Sequence, residues 1–246
     1  MAGGARRGGG SFEDPSPLGF VPGGGLTTAV LVLLTLWIPI GAAGILVHGW
    51  EHSLLGRIAA GDEAVDLAAS DARVRVVGIA KGVLLLATAP IFIAWYRRVY
   101  RNLRWFGAAR LGESLGWATG SWVVPVGNYF VPYWVMQETW RGSDPMFDLA
   151  ATDRWRTAAA SGLIRAWWFT LVCSSLLGGL VYSIVGQNTE TIDGSLWLSR
   201  IRVVSTVTLT AAAATGILVV RAVNRRQREK ARGLEARRDG DDPAPA

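Results

Sequence analysis

The chain has 246 residues, half of them hydrophobic, with a mean hydropathy of +0.28 and a formal net charge of +6. Its apolar residues collect into long blocks separated by short polar loops, where a soluble core would scatter them at helix or strand periods, so an ordinary water-soluble domain is excluded. The basic residues flank those blocks and form no face of their own, which argues against nucleic acid as a partner and for arginine beside membrane spans.

A bilayer core about 30 Å thick takes about 20 mostly apolar residues to cross as a helix, and lipid offers the backbone no other hydrogen-bonding solution than a helix or a closed barrel. From the start of the chain, Met1–Gly25 carries Gly, Pro and Arg with few large apolar residues and is expected to be a disordered cytoplasmic tail. The first span is expected over 26–47, entered at Gly23, Gly24 and Gly25 and kinked at Pro39. Arg6 and Arg7 lie far upstream and Gly41–Gly44 makes a poor cleavage site, so a retained span is preferred to a cleaved signal peptide. His48 and His52 follow at helical spacing, with no third ligand in view for a metal. The second span is expected over 76–95, with Lys81 toward its outer end and Pro90 toward its inner end. The third, over 163–185, starts beside Arg165 and contains the single cysteine, Cys173, which excludes an intramolecular disulfide framework and a cysteine zinc cluster. The fourth, over 203–220, is rich in Ala and Thr. Lys81 and Arg165 are the only basic residues within these spans, and both sit where a long side chain is expected to snorkel to the headgroups.

Orientation follows from the loops. Tyr96–Ala160 holds Arg97, Arg98, Arg101, Arg104, Arg110, Arg141, Arg154 and Arg156, and the tail 221–246 adds Arg221, Arg225, Arg226, Arg228, Lys230, Arg232, Arg237 and Arg238. The loop after the first span sets Glu51, Asp62, Glu63, Asp66 and Asp71 against Arg57, Arg73 and Arg75. A membrane domain over 26–220 with four spans puts both arginine-rich regions, and both termini, in the cytoplasm. Arg200 and Arg202 fit this scheme least well. A fifth span through Leu115–Met136 would carry the basic tail outside and is rejected. Arg221–Arg238 is expected to continue the fourth span as a short basic helix, a stop-transfer anchor able to meet anionic lipid.

Between the second and third spans, 114–140 is apolar yet interrupted by Gly116, Gly120, Pro125, Gly127 and Pro132, which disfavours one straight helix. Trp117, Trp122, Trp134 and Trp140 suit a headgroup interface. The segment is read as two short interfacial or re-entrant helices joined around Pro125–Asn128, with Asn128 as a cap or turn residue. Tyr129, Tyr133, Met136 and Trp140 fall at helical spacing toward lipid or bundle, leaving Gln137, Glu138 and Arg141 on the polar side. The expected fold is therefore all-α: a polytopic helical membrane bundle of four transmembrane helices plus a Pro/Gly-broken interfacial or re-entrant segment.

Two runs carry a resemblance. The first is Trp95-Tyr96-Arg97-Arg98-Val99-Tyr100-Arg101-Asn102-Leu103. The second is a Gly116-Trp117 segment, then Pro125-x-x-Asn128-x-x-x-Pro132-Tyr133, ending in Glu138-x-Trp140. Together they resemble the bacterial membrane family called domain of unknown function 4328. Here Leu115 stands where members often carry proline before Gly-Trp. The resemblance implies the architecture and a bacterial plasma membrane; it brings no reaction or ligand.

Function is read as that of a membrane scaffold or a partner- or lipid-binding protein. Its candidate interaction motif is Arg98, Arg101, Asn102, Trp117, Trp122, Pro125, Asn128, Pro132, Tyr133, Glu138 and Trp140, because seven of the twelve tryptophans crowd into 95–155 on the basic side. The expected partners are a bilayer containing anionic lipid, and a protein partner or a second copy of the chain. The alternative is a small-solute or ion pathway at the break Pro125–Asn128 with Glu138, the small residues Gly178, Gly179 and Ala211–Gly216 permitting close helix contacts. No nucleophile–base pair, metal set or phosphate-cradling loop points to an enzyme, and no cofactor is expected. Glu138 with Arg141 reads as a helix-surface ion pair.

Overall fold

The computed structural model describes residues 20, 23–62, 67–108, 110–150, 152–181, 183 and 191–241, and its regular elements are all helical. Most of the N-terminal tail, the loop around Glu190 and the last residues lie outside that set. Among the described residues the α-helices are α1 Gly24–Ala59, α2 Leu67–Trp105, α3 Leu115–Gly120, α4 Val131–Gly142, α5 Gly162–Ser175 and α6 Ile192–Asp241. Three of them, α1, α2 and α6, are long and apolar enough to cross a membrane.

The three long helices contain the expected spans and outrun them. At 1.5 Å per residue, the 36 residues of α1 extend about 54 Å. Both α1 and α2 continue as helix through their prolines, Pro39 and Pro90. Over the third expected span, 163–185, the 14 residues of α5 are followed directly by a π-helical stretch, Leu176–Val181, which contains Gly178-Gly179; residues 182, 184 and 185 lie outside the described set. Ser161 caps α5 by accepting from the Ile164 N–H.

The seam that joins the long helices is legible in α1. Its buried positions Thr27, Val30, Leu34, Trp37, Gly41, Gly44 and His48 recur at alternating steps of three and four, a heptad stripe. Against it α6 runs antiparallel, with Asn224 opposite Thr27, Thr210 opposite Gly41 and Arg202 opposite Glu51. A Cβ added at Gly41 would lie 2.1 Å from the Thr210 hydroxyl oxygen, so the glycine sets the helix spacing. The same device recurs at Gly178 against Ser205 (2.9 Å) and Gly216 against the Trp167 indole nitrogen (3.2 Å), so the small residues serve packing within this chain. Meanwhile α2 covers α1, Trp37 donating to the Thr88 hydroxyl at 3.1 Å. Outward, large apolar side chains remain bare, with Leu46 at 73% and Leu86 at 77% exposed. A helix whose polar atoms face neighbours and whose leucines face outward suits lipid as solvent.

The broken segment has the two-helix form expected of it. α3 is capped by Ser114, whose hydroxyl accepts from the Trp117 N–H. Single 3₁₀ turns follow at Ser121–Val123 and Gly127–Tyr129, and Pro132 opens α4 in the first turn, where its missing N–H costs nothing. Asn128 is a turn residue, its N–H donating to the Val124 carbonyl at 2.8 Å.

Candidate functional site

At the end of the bundle where α1 begins, α2 and α6 project beyond their apolar stretches and the motif residues converge. Arg98 is 7% exposed, and its Nη2 donates to the Thr27 hydroxyl and to the Asn224 side-chain oxygen, both at 3.0 Å. Thr27 donates to the same Asn224 oxygen at 3.1 Å, so one arginine fastens α1, α2 and α6 together. Its guanidinium fills the space beside Gly23, where a Cβ would lie 1.7 Å from Nη1. One turn along, Asn102 donates to Gln227 at 3.0 Å, and Gln227 donates to the Val99 carbonyl (2.8 Å) and the Ser143 hydroxyl (3.1 Å). Lys230, 3% exposed, donates to the carbonyls of Gly142, Asp144 and Phe147 at 2.8, 3.0 and 2.9 Å. Burial pushes the Lys230 ammonium down to about 8, against the upward pull of Asp144 and Asp148.

By charge alone this stretch of α6 reads as a row of cations; its Asn224, Gln227 and Lys230 are a buried polar ladder. The signal was available, because Val219, Val220, Val223, Ala231 and Leu234 continue the apolar stripe between the arginines. Exposed arginines at helical spacing on α6 are Arg221, Arg225, Arg228 and Arg232, with the exposed Glu229 3.8 Å from Arg225 and Arg237 exposed further along. Arg97, Arg101 and Arg104 form a matching exposed stripe on α2. Arg101 is thus on the surface while Arg98 and Asn102, its neighbours in the motif, are structural.

Glu138 has a different partner from the one expected. It accepts from the Tyr100 hydroxyl and from the Gly112 N–H, both at 2.8 Å, and lies 3.6 Å from Arg156; no ion pair with Arg141 forms. The carboxylate turns toward the 110–114 loop because two neutral donors, the Tyr100 hydroxyl and the Gly112 N–H, wait there. Gln137 is likewise buried, exchanging hydrogen bonds with the backbone of Ser161 (3.1 and 2.8 Å), and so leaves the polar side of α4 assigned to it from the sequence. Trp140 stacks under the Arg226 guanidinium at 4.0 Å, and Arg226 pairs with Asp144.

The aromatic residues divide. Trp95 and Trp155 are core, and Trp122 meets Phe92, Tyr96 and Trp168 edge-on at 5.6, 5.5 and 6.0 Å. Pro132 is buried, while Tyr133 lies against Trp134 and Trp168. Trp117, Val123, Val126, Phe130 and Trp134 instead form an exposed apolar ridge, with Pro125 exposed among them. Asn128 lines a cleft of about 100 Å³ with Trp122, Tyr129, Trp168, Leu171, Val172 and Ser175.

At the opposite end, Glu51 takes both Arg202 and the His48 ring, and His52 meets the Ser199 hydroxyl at 2.8 Å. Lys81 does not reach outward as expected; its ammonium turns into the bundle and donates to the Thr206 hydroxyl at 2.8 Å. Among the described residues no group of three or more His, Cys, Asp or Glu could hold a metal.

Long apolar helices joined by small-residue seams, with polar side chains sequestered between them, define a helical protein of membrane type. The chain belongs to the family described as Domain of unknown function (DUF4328), whose model matches residues 59–225. That match takes in the Arg98 and Asn102 motif, the broken segment and Asn224, and stops short of Gln227 and Lys230. Neither a curated protein nor a solved structure matches the chain.

Proposed function

We propose that the protein is a four-span membrane scaffold of the bacterial plasma membrane, both termini cytoplasmic, that gathers anionic lipid, and through it a partner, at its arginine-rich end. The observation that carries this reading is the pair of exposed arginine stripes, Arg97/Arg101/Arg104 and Arg221/Arg225/Arg228/Arg232, each starting where an apolar stretch ends. Cations so placed interact with an anionic leaflet at about 1 kcal/mol each. The buried ladder between the two helices holds the stripes rigidly in register, which is what a docking platform needs and a simple stop-transfer signal does not. The exposed ridge Trp117–Trp134 adds a Trp-flanked apolar wedge suited to the acyl–headgroup boundary. A fourth crossing is supported by the run of α5 into the π-helical stretch, because 162–181 reaches about 30 Å.

The test uses purified protein in native-lipid nanoparticles. Neutralising the α2 stripe (Arg97→Gln, Arg101→Gln, Arg104→Gln) is expected to abolish enrichment of anionic lipid in the extracted particle. Enrichment equal to that of the parent protein sinks the reading. Spin labels at Val123, Val126 and Phe130 in a Cys173→Ser background should collide with oxygen in preference to a water-soluble nickel chelate.

A second reading, a solute pathway at the break, draws on the cleft beside Asn128. Its test is flux across proteoliposomes, lost on Asn128→Ala.

A further inference from the structure

At the end of the bundle remote from the arginine stripes, α1, α2, α6 and the π-helical stretch after α5 enclose a half-open cleft of about 130 Å³. Its polar wall is His48, Lys81, Arg202, Ser205 and Thr206; its apolar lip is Leu177 and Ile201, beside Gly178. Three features show that the lysine is built into this place. Its Nζ is held by the Thr206 hydroxyl at 2.8 Å. Facing it, α1 carries Gly44, where a Cβ would come within 2.9 Å of Nζ, so the glycine leaves room for the ammonium. The nearby carboxylate, Glu51, is already engaged by Arg202 and His48. Among the described residues Lys81 therefore has no carboxylate within ion-pair distance, although it sits in the apolar part of α2. A half-buried cation without a counter-charge is costly beside a medium of low polarity, and such residues in a span mark sites for a counter-ion.

We propose that this cleft binds a phosphate-type oxyanion, with the Lys81 ammonium as its principal charge partner. Arg202, fixed in direction by Glu51, supplies a second positive group, and the Ser205 hydroxyl a neutral one. The volume is more than a halide fills and suits a tetrahedral oxyanion head. The lip of Leu177 and Ile201 fits the start of an alkyl chain, so the oxyanion can come from a phospholipid headgroup held between helices or from free phosphate. This inference is independent of the platform at the other end, because Lys81 lies on no exposed arginine stripe.

The experiment is thermal unfolding of the full chain in an uncharged maltoside detergent. One arm is titrated with short-chain phosphatidylglycerol; the other is titrated with inorganic phosphate against chloride at equal ionic strength. The midpoint is expected to rise with one or both ligands, the lipid arm alone identifying a headgroup site and the phosphate arm a free-ion site. In Lys81→Met, which keeps the bulk and removes the charge, apparent affinity should fall by about tenfold or more, the worth of one charge-assisted hydrogen bond. Thr206→Val, which frees the ammonium from its holder, should weaken binding in the same direction. The Arg97/Arg101/Arg104→Gln variant should keep the Lys81-dependent shift, which separates this site from the platform. The proposal is overturned if neither ligand raises the midpoint, or if Lys81→Met responds as the parent protein does.

Discussion

Replacing Gln227 by leucine isolates the contact that fastens α6 to α2. Gln227 is 2% exposed and makes three hydrogen bonds, but their losses are unequal. The Ser143 hydroxyl still donates to the Thr139 carbonyl at 2.6 Å, and the Val99 carbonyl lies within α2. Asn102 is the casualty: its Nδ2 is left buried beside a methyl group. A stranded buried donor costs about 1–3 kcal/mol, to which the lost bonds add about 1, so Gln227→Leu should destabilise by about 2–4 kcal/mol. Asn102→Leu strands the Gln227 oxygen and should cost a similar amount. The double variant strands neither group, and two leucines fill much of the same space, so its cost should lie well below the sum, with a coupling energy of about 2 kcal/mol. The assay is reversible unfolding of all four proteins in mixed micelles, read by helical circular dichroism. Additivity within about 0.5 kcal/mol would refute the claim that this pair is a shared buried contact.

The α1–α6 seam and the lysine trap give two further expectations. Gly41→Ala should destabilise by about 1–3 kcal/mol because its Cβ meets Thr210, whereas Gly49→Ala, with nothing within 4 Å, should be neutral or stabilising; equal effects in thermal unfolding would contradict the seam. Lys230 ionises lower in the folded protein, at about 8, than its ordinary value of 10.5, so between those values the unfolded chain binds more protons. Its contribution to stability should therefore rise as pH climbs from 8 to 10.5 and be lost as pH falls through 8. The stability of the parent protein relative to Lys230→Met, measured across that window, should grow with pH; a flat difference contradicts it.

The sequence discloses what depends on local pattern. The apolar blocks at 26–47, 76–95 and 203–220 each lie inside a long helix, and the glycines and prolines of 114–140 fall where the chain divides into α3, two 3₁₀ turns and α4. What it conceals depends on partners far along the chain. Lys81 looks like a snorkelling residue because Gly44 and Thr206, which receive it, belong to other helices. Glu138 is matched to Arg141 by spacing, but Tyr100 and Gly112 offer it hydrogen bonds from outside α4. The crowded tryptophans suggest a single platform, whereas Trp95 and Trp155 are core and only Trp117 and Trp134 of the broken segment stand well clear of it. Counting charges in 221–238 hides Asn224 and Gln227, two uncharged residues that decide how that helix docks.

Cysteine accessibility decides which side of the membrane holds the arginine stripes. With Cys173 replaced by serine, single cysteines at Asp66, Asp148, Asp193 and Ala246 can be labelled on intact cells by a membrane-impermeant maleimide. Labelling at 66 and 193, with 148 and 246 protected until the cells are lysed, is the predicted result. Labelling of 246 on intact cells would place the basic helix outside and contradict the account.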